Sequence, residues 1–160
     1  MQIIRNFIKN QKVLNELTAL LSGCDFPWYY SNVVGDKKDT KDFYFFHHLY
    51  ENNKQLSPFF NQVASPILGR LNYNYLLRAR TNLYTLHSEH IPSTWHTDDK
   101  EPHTVALFYL NTCNGYTIFK DGTKIKSEAN KIVIFNGNTY HSSVTQTDTK
   151  RRIVINFNLT

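Results

Sequence analysis

The sequence predicts an α+β protein in which two N-terminal helices precede a jelly roll or sandwich of short antiparallel strands. Helical hydrophobic periodicity is confined to the chain before about residue 75. Beyond that point the period changes to two, and turn signals separate short strand segments. Because no helical pattern lies between these strands, a parallel α/β fold is excluded.

Two segments of the first half have helical patterns. From Asn10, the expected N-cap, to Leu21, apolar residues recur at helical spacing. Ser57-Pro58 predicts the start of a second helix, which Pro66 would kink or split. Between the helices, residues 25–56 mix aromatic residues with a polar insert at 35–39, which predicts a loop followed by a strand.

Eight strands are expected in the second half. Their predicted bounds are 76–84, 92–97, 104–110, 115–119, 123–127, 131–135, 139–145 and 152–159. In the last segment the apolar residues alternate with Arg152, Val154, Asn156 and Asn158, which should point inward. Segment 76–84 should likewise turn Arg78, Arg80, Asn82 and Tyr84 inward. A polar interior of this kind predicts a small-molecule cavity.

The composition favours one compact globular domain over residues 1–160, with a helical part to about residue 74 and the jelly-roll core from about residue 75. Apolar residues make up 41% of the chain and charged residues 19%. The longest apolar run is far too short for a transmembrane helix, and the first residues lack a signal-peptide pattern, so we expect a cytoplasmic protein without a membrane partner. Cys24 and Cys113 lie in no metal or disulfide motif and are expected to be buried, reduced thiols.

One group of residues could carry chemistry. His96 and Asp98 lie two positions apart at the end of a predicted strand, so both side chains project to one side. His141 could complete a set of two imidazoles and one carboxylate, which leaves coordination positions open and suits non-haem Fe(II). Arg152 would suit a dicarboxylate because its planar fork makes two charge-assisted bonds, and Tyr109 would add a neutral donor.

These residues resemble those of the Fe(II)/2-oxoglutarate-dependent dioxygenases, and within them the prolyl 4-hydroxylase-like branch, which includes small phage-encoded members. The resemblance covers about residues 75–160. The family pattern of His-x-Asp, a distal His and a later basic residue is matched by His96, Asp98, His141 and Arg152. The segment Phe108-Tyr109-Leu110-Asn111 looks like the family's Tyr-Leu-Asn strand. The segment Asn82-Leu83-Tyr84 is similar to one that lines the cosubstrate site.

The resemblance implies a double-stranded β-helix with the N-terminal helices packed on its major sheet. It also implies Fe(II) and 2-oxoglutarate as cofactors, with ascorbate as a reductant, and hydroxylation with release of succinate and carbon dioxide. The implied metal ligands and catalytic residues are His96, Asp98 and His141. The implied 2-oxoglutarate contacts are Arg152 and Tyr109, followed by Tyr84 and Asn82.

The family-implied substrate is a peptidyl proline or another protein residue, and several alternatives stay open. A nucleic-acid-directed oxygenase of the alkylation-repair type is favoured by the net charge of +5 and by Asn82-x-Tyr84, but Asn158 stands where that branch has a second arginine. Free amino acids are a third substrate class. A cupin-like metal enzyme or binding module without 2-oxoglutarate chemistry is the alternative from another class. The sequence leaves the oligomeric state open, and a phage origin would place the protein in the host cytoplasm.

Other polar residues have competing interpretations. Arg78 and Arg80 could bind substrate at the cavity mouth or simply pair with carboxylates. His47-His48 lies in an aromatic stretch and is expected to be structural. Trp95 should pack, or form part of the substrate rim, beside His96.

Overall fold

The computed structural model describes residues 1–34, 37–38 and 43–160. Its helices are α1 (Gln11–Ser22) and α2 (Phe60–Leu68). Its strands are β1 (Gln2–Arg5), β2 (Tyr29–Ser31), β3 (Val33–Val34), β4 (Lys37–Lys38), β5 (Tyr44–Glu51), β6 (Lys54–Gln55), β7 (Leu76–Thr85), β8 (Thr104–Tyr109), β9 (Tyr116–Phe119), β10 (Lys124–Lys126), β11 (Lys131–Asn136), β12 (His141–Val144) and β13 (Arg151–Leu159). Of the predicted polar insert at 35–39, residues 35, 36 and 39 lie outside the described residues.

The strands form a large and a small antiparallel sheet, and β3 and β4 form a separate antiparallel pair. The large sheet has the order β1-β11-β8-β13-β7-β5-β2, with β6 paired to β5, and the small sheet has the order β10-β9-β12. Single bridges from Pro92 to Val144 and from His96 to His141 attach a further segment to the edge of the small sheet. This is the predicted jelly roll, a double-stranded β-helix.

The two faces of the large sheet have different partners. Its outer face packs on both helices in one apolar cluster, to which α1 contributes Leu17 and Leu21 and α2 contributes Val63 and Ile67. Its inner face meets the small sheet in a second cluster that includes Phe119. The prediction that the N-terminal helices pack on the major sheet is therefore confirmed.

The helix boundaries follow from local hydrogen bonding. The Asn10 side chain accepts hydrogen bonds from the backbone N–H groups of Lys12 and Val13, as expected of the predicted N-cap. The second helix begins at Phe60, later than predicted, because a turn intervenes in which the Ser57 hydroxyl accepts from the Phe59 N–H. The predicted split at Pro66 is wrong, since α2 continues through this residue.

The strand predictions are confirmed except in one segment. Residues 92–97 make only the two bridges, whereas the other seven segments are strands whose bounds shift by a few residues. The sequence interpretation missed β1, which pairs with β11 at one edge of the large sheet. It also did not foresee that β5 would join the same sheet beside β7.

Two further expectations concern cysteines and membranes. Cys113 is buried, but Cys24 is exposed, so the expectation that both are buried is wrong. Neither helix in the described part of the chain combines the length and apolar character that a membrane span requires.

Candidate active site

A polar cavity of about 760 Å³ opens between the two sheets. The inward faces of β5, β7 and β13 form one wall, and the small sheet with the segment around His96 forms the other. The predicted alternation of β7 is confirmed here, because the lining includes Arg78, Arg80, Asn82 and Tyr84. Every residue of the expected metal set also lines this cavity, as does Arg152.

His96, Asp98 and His141 converge on one point in the cavity. Asp98 Oδ1 lies 3.8 Å from His96 Nε2 and 3.9 Å from His141 Nε2. One ligand atom from each residue falls within 4.8 Å of the others, a spacing that could hold a metal ion. The backbone bridge between His96 and His141 sets this approach, because it makes the two histidines cross-strand neighbours.

Backbone carbonyl groups orient both imidazole rings. His96 Nδ1 lies 2.8 Å from the Thr94 carbonyl oxygen, and His141 Nδ1 lies 3.0 Å from that of Thr139. Since a carbonyl oxygen can only accept, each Nδ1 must carry the proton and donate it. In the neutral form of each ring, Nε2 then carries the lone pair, which is the tautomer that a metal ligand requires.

Asp98 is held as a buried carboxylate. Its side chain is only 2% exposed, its Oδ2 accepts a 2.8 Å hydrogen bond from Asn156 Nδ2, and its Oδ1 lies 3.6 Å from Arg78 Nη2. Burial alone would raise the pKa of Asp98, but His141, Arg78 and the Asn156 hydrogen bond together lower it below its usual value. Burial and the neighbouring His141 lower the pKa of His96, which favours the neutral imidazole.

Arg152 is a fully buried cation, 1% exposed. Its Nη1 donates to Ser143 Oγ at 2.7 Å and its Nη2 to Thr117 Oγ1 at 3.4 Å, both neutral hydroxyls. Its Nε has no partner, and within the described part of the chain no carboxylate comes within ion-pair distance of it. A buried charge in a protein is normally paired with an opposite charge. The surroundings of Arg152 therefore suit the binding of an anionic ligand.

Two tyrosine rings lie beside the Arg152 guanidinium, and only one of them reaches the cavity. The guanidinium carbon is 5.1 Å from the ring centre of Tyr84 and 5.7 Å from that of Tyr109. Tyr84 lines the cavity, whereas Tyr109 lies in the core and its hydroxyl donates a 2.9 Å bond to Thr117. Burial raises the pKa of both phenols, so both remain protonated donors.

The remaining polar residues divide between structural and cavity positions. Asn82 lines the cavity, and its buried Oδ1 has no partner. His47 is structural as expected, since its ring bonds to the Pro27 carbonyl and the Ser57 hydroxyl. His48 differs from that expectation because it lines the cavity. Trp95 lines it as well.

Four cavity residues were not recognised as site residues from sequence. Asn156 was expected to point inward, but nothing linked it to Asp98. Ser143 and Thr117 come from the small sheet, and their approach to Arg152 depends on how the two sheets pack. The inward direction of the His48 side chain follows from the alternation of side chains along β5. That alternation could be assigned only once the strand and its register were known.

Comparisons with solved structures agree with this architecture. An oxidoreductase of the 2OG-Fe(II) oxygenase family from Burkholderia pseudomallei matches with a TM-score of 0.67 at 10% identity, over 98% of this chain and 83% of that one. A Pseudomonas putida prolyl-4-hydroxylase matches with a TM-score of 0.62 at 14% identity, over 99% and 91%. The fold is that of these oxygenases.

A third structure with the oxygenase fold was determined with a peptide. It is a Trichoplax adhaerens prolyl hydroxylase in complex with a fragment of the hypoxia-inducible factor oxygen degradation domain, with a TM-score of 0.62, 14% identity and coverage of 99% and 82%. No family model and no curated protein matches the sequence. In this chain the oxygenase fold brings the His96, Asp98 and His141 cluster and the unpaired Arg152 into one cavity.

Proposed function

We propose that this chain is an Fe(II)- and 2-oxoglutarate-dependent hydroxylase that acts on a peptide, with a prolyl residue as the first target to test. The observation that carries the proposal is one cavity holding both a cluster of two histidines and an aspartate and a buried arginine without an anion. A metal ion and a dicarboxylate would complete both features together. The likeness to oxygenase structures supports the same reaction class.

The donor set fits Fe(II). Two neutral imidazole nitrogens and one carboxylate oxygen, from His96, His141 and Asp98, match the facial triad of non-haem Fe(II) oxygenases. When bound, Fe(II) and 2-oxoglutarate would supply the oxidising power, with succinate and carbon dioxide as products and ascorbate keeping the metal reduced. Asn156 would hold the Asp98 carboxylate in its ligating orientation.

The surroundings of Arg152 fit the distal carboxylate of 2-oxoglutarate. Its guanidinium can offer two parallel N–H groups to one carboxylate, and hydroxyls of Ser143 and Thr117 already fix its plane. Tyr84 would add a protonated phenol from the cavity wall. Tyr109 would act from beneath, by holding Thr117 and packing on the guanidinium. Asn82 lines the cavity, where its Nδ2 group would donate to an oxygen of the cosubstrate.

A peptide is the proposed substrate because the lining includes the exposed residues Asp99, Lys100 and Tyr140, so the cavity meets solvent, and because one neighbour with this fold carries a peptide. The protein would position the target residue beside the metal and exclude bulk water from the reaction. Trp95 and the half-exposed Tyr140 line the cavity and could contact the peptide.

Turnover with mass detection tests the proposal. The protein would receive Fe(II), 2-oxoglutarate, ascorbate and a library of proline-containing peptides, and succinate would be measured beside the mass gain of one oxygen atom. We expect Arg152→Gln to raise the concentration of 2-oxoglutarate required by about 30-fold or more, since a buried charge loses its partner. Arg151→Gln removes a neighbouring exposed cation and is the matched control.

Two outcomes would contradict the proposal. Turnover that does not depend on 2-oxoglutarate, or an Arg152→Gln variant that needs no more of it than wild type, would reject the cofactor assignment. Oxidation of methylated oligonucleotides in preference to every peptide would reject the peptide substrate.

A further inference from the structure

We infer that Arg80, assisted by Arg78, binds a carboxylate carried by the substrate, so that the preferred peptide has an acidic residue beside the target residue. The inference rests on the proposed function and adds a substrate class to it. Three sets of observations carry it: the location of the two arginines, their missing partners and the charge of the cavity.

The two arginines occupy strand positions other than the one opposite Arg152. On β7, Tyr84 is the cross-strand partner of Arg152, whereas Arg80 is the partner of Asn156. Tyr84 and Arg80 are four residues apart, which is about 13 Å along an extended strand. Since Asn156 donates to Asp98, the backbone of Arg80 lies level with the metal end of the cavity, while its guanidinium reaches Tyr44, whose ring stacks on that of Tyr84.

Arg80 lacks a counter-ion. Its guanidinium lies 5.7 Å from the ring centre of Tyr44, and its buried Nε has no hydrogen-bond partner. On β5 its cross-strand partner is His48, and burial together with Arg80 itself lowers the pKa of that histidine, which favours the uncharged ring. Within the described part of the chain, no carboxylate lies within ion-pair distance of Arg80.

Arg78 is only partly satisfied. Its Nη2 lies 3.6 Å from Asp98 Oδ1 and 3.5 Å from Asn158 Oδ1, both long contacts, and its Nε is buried without a partner. Its side chain is 19% exposed, so a ligand can reach it. Because Asp98 is shared with the proposed metal, Arg78 retains unused donors when that metal is bound.

The charged residues of the cavity include two more cations than anions. The charged residues of the lining are the cations Arg78, Arg80, Lys100 and Arg152 and the anions Asp98 and Asp99. Lys100 and Asp99 are exposed neighbours of opposite charge. A divalent metal would be balanced by Asp98 and one carboxylate of 2-oxoglutarate, and Arg152 would be balanced by the other carboxylate. Arg78 and Arg80 then remain, with Glu51, the acid of β5, near Arg78.

An anion on the substrate would complete this arrangement, and a peptide carboxylate fits better than nucleic acid. Nucleic-acid binding uses basic groups spread along the backbone path of several phosphates. Here the two arginines line one cavity from the same strand face, two residues apart, a spacing that suits one anionic group and not a run of phosphates. The shared chemistry is a carboxylate, from an acidic side chain of a peptide or from a free amino acid.

Binding measurements can test the inference without turnover. The probes are matched peptides with a central proline flanked by Glu or by Gln, and L-proline beside L-prolinamide. Each is titrated into Zn(II)-loaded protein with 2-oxoglutarate present. We expect the Glu peptide to bind about tenfold more tightly than the Gln peptide, which is the value of one charge-assisted bond. The amino acid pair shows whether the carboxylate comes from a free amino acid instead.

Variants assign the preference to Arg80. Arg80→Gln should bring the Glu-to-Gln ratio close to one, and Arg80→Glu should shift the preference to Lys-flanked peptides. Arg151→Gln, an exposed charge removal on β13, should keep the wild-type ratio. The affinity for 2-oxoglutarate, measured without peptide, should fall far less in Arg80→Gln than in Arg152→Gln.

Several results would overturn the inference. One is equal binding of carboxylate and amide probes in both pairs; another is tighter binding of an oligonucleotide than of any peptide. An Arg80→Gln variant that loses 2-oxoglutarate as severely as Arg152→Gln would place Arg80 in the cosubstrate site. A failure of the proposed function would appear as absent 2-oxoglutarate binding. The preference for an acidic peptide is a separate measurement on the metal-loaded protein, so the two failures can be told apart.

Discussion

Asn156 shows how a single neutral side chain can decide whether a carboxylate is ready to bind metal. Its amide donates to Asp98 Oδ2 and leaves Oδ1 facing the two histidine Nε2 atoms. The histidine rings are fixed in the same manner by backbone carbonyl groups, so all three groups are oriented before any ligand arrives.

Removing this amide should weaken metal binding. We expect Asn156→Ala to lower metal affinity by about 10- to 100-fold, because groups that hold a ligand in place typically have effects of this size. Asn158→Ala, two residues along the same face and without a bond to Asp98, is the matched control. Calorimetric titration with Co(II) measures both, and equal affinity of the two variants would show that Asn156 has no orienting role.

At the residue scale, the sequence predicted the groups that alternate along a strand and missed those that meet across the sheets. Arg152 and Arg80 were expected to point inward because a period of two determines facing. The contacts of Arg152 with Ser143 and Thr117 were not foreseeable, since they depend on the separation of two sheets that no local pattern encodes.

Among the elements, β13 links the apolar core to the cavity. Its outward residues Ile153, Ile155 and Phe157 pack in the cluster that contains both helices, while Arg152 and Asn156 point into the cavity. The helices therefore support the cavity wall from behind, although no helical residue lines the cavity within the described part of the chain.

Shortening a helical core residue tests this support. We expect Ile67→Ala in α2 to lower the free energy of unfolding by about 2–5 kcal/mol, because Ile67 is fully buried and truncation leaves a cavity. Urea unfolding provides the measurement. Leu77→Ala, at an exposed position of β7, should cost much less. Similar losses in the two variants would contradict the assignment of Ile67 to the core.

Helices and strands were predicted well where the hydrophobic pattern extends over a long segment. They were predicted poorly where a strand pairs with a partner far away in the sequence. The strands from β7 to β13 follow from alternation and turn residues, with the exception of 92–97. Strand β1 was missed because it is short and its partner β11 lies more than a hundred residues away. The expected break at Pro66 did not occur, since α2 is short and its apolar face is held in the core.

At the scale of the whole molecule, the cavity contains buried charge that a metal ion and a dicarboxylate should stabilise. The side chains of Arg152 and Asp98 are both buried, in a fold held together mainly by two apolar clusters. Burial of an uncompensated charge costs free energy. A metal ion and a dicarboxylate that bind only the folded protein should therefore raise its free energy of unfolding.

Metal should therefore stabilise the protein against thermal unfolding, and 2-oxoglutarate should add further stability only when metal is present. At about 100 times its dissociation constant, 2-oxoglutarate should add about 2.7 kcal/mol to the free energy of unfolding, provided that metal is present. Arg152→Gln should lose this increment and keep the stabilisation by metal alone. Scanning fluorimetry with Zn(II) measures both effects. An equal increment without metal, or in His96→Ala, would contradict joint binding in one cavity.

The most direct measurement is the visible charge-transfer band that forms when 2-oxoglutarate chelates protein-bound Fe(II) without oxygen. It requires no substrate and reports the metal and the cosubstrate together. We expect a band in wild type, no band in His96→Ala, and a band in Arg152→Ala only at far higher 2-oxoglutarate concentration. A folded, iron-supplied wild-type protein that gives no band would contradict the central claim.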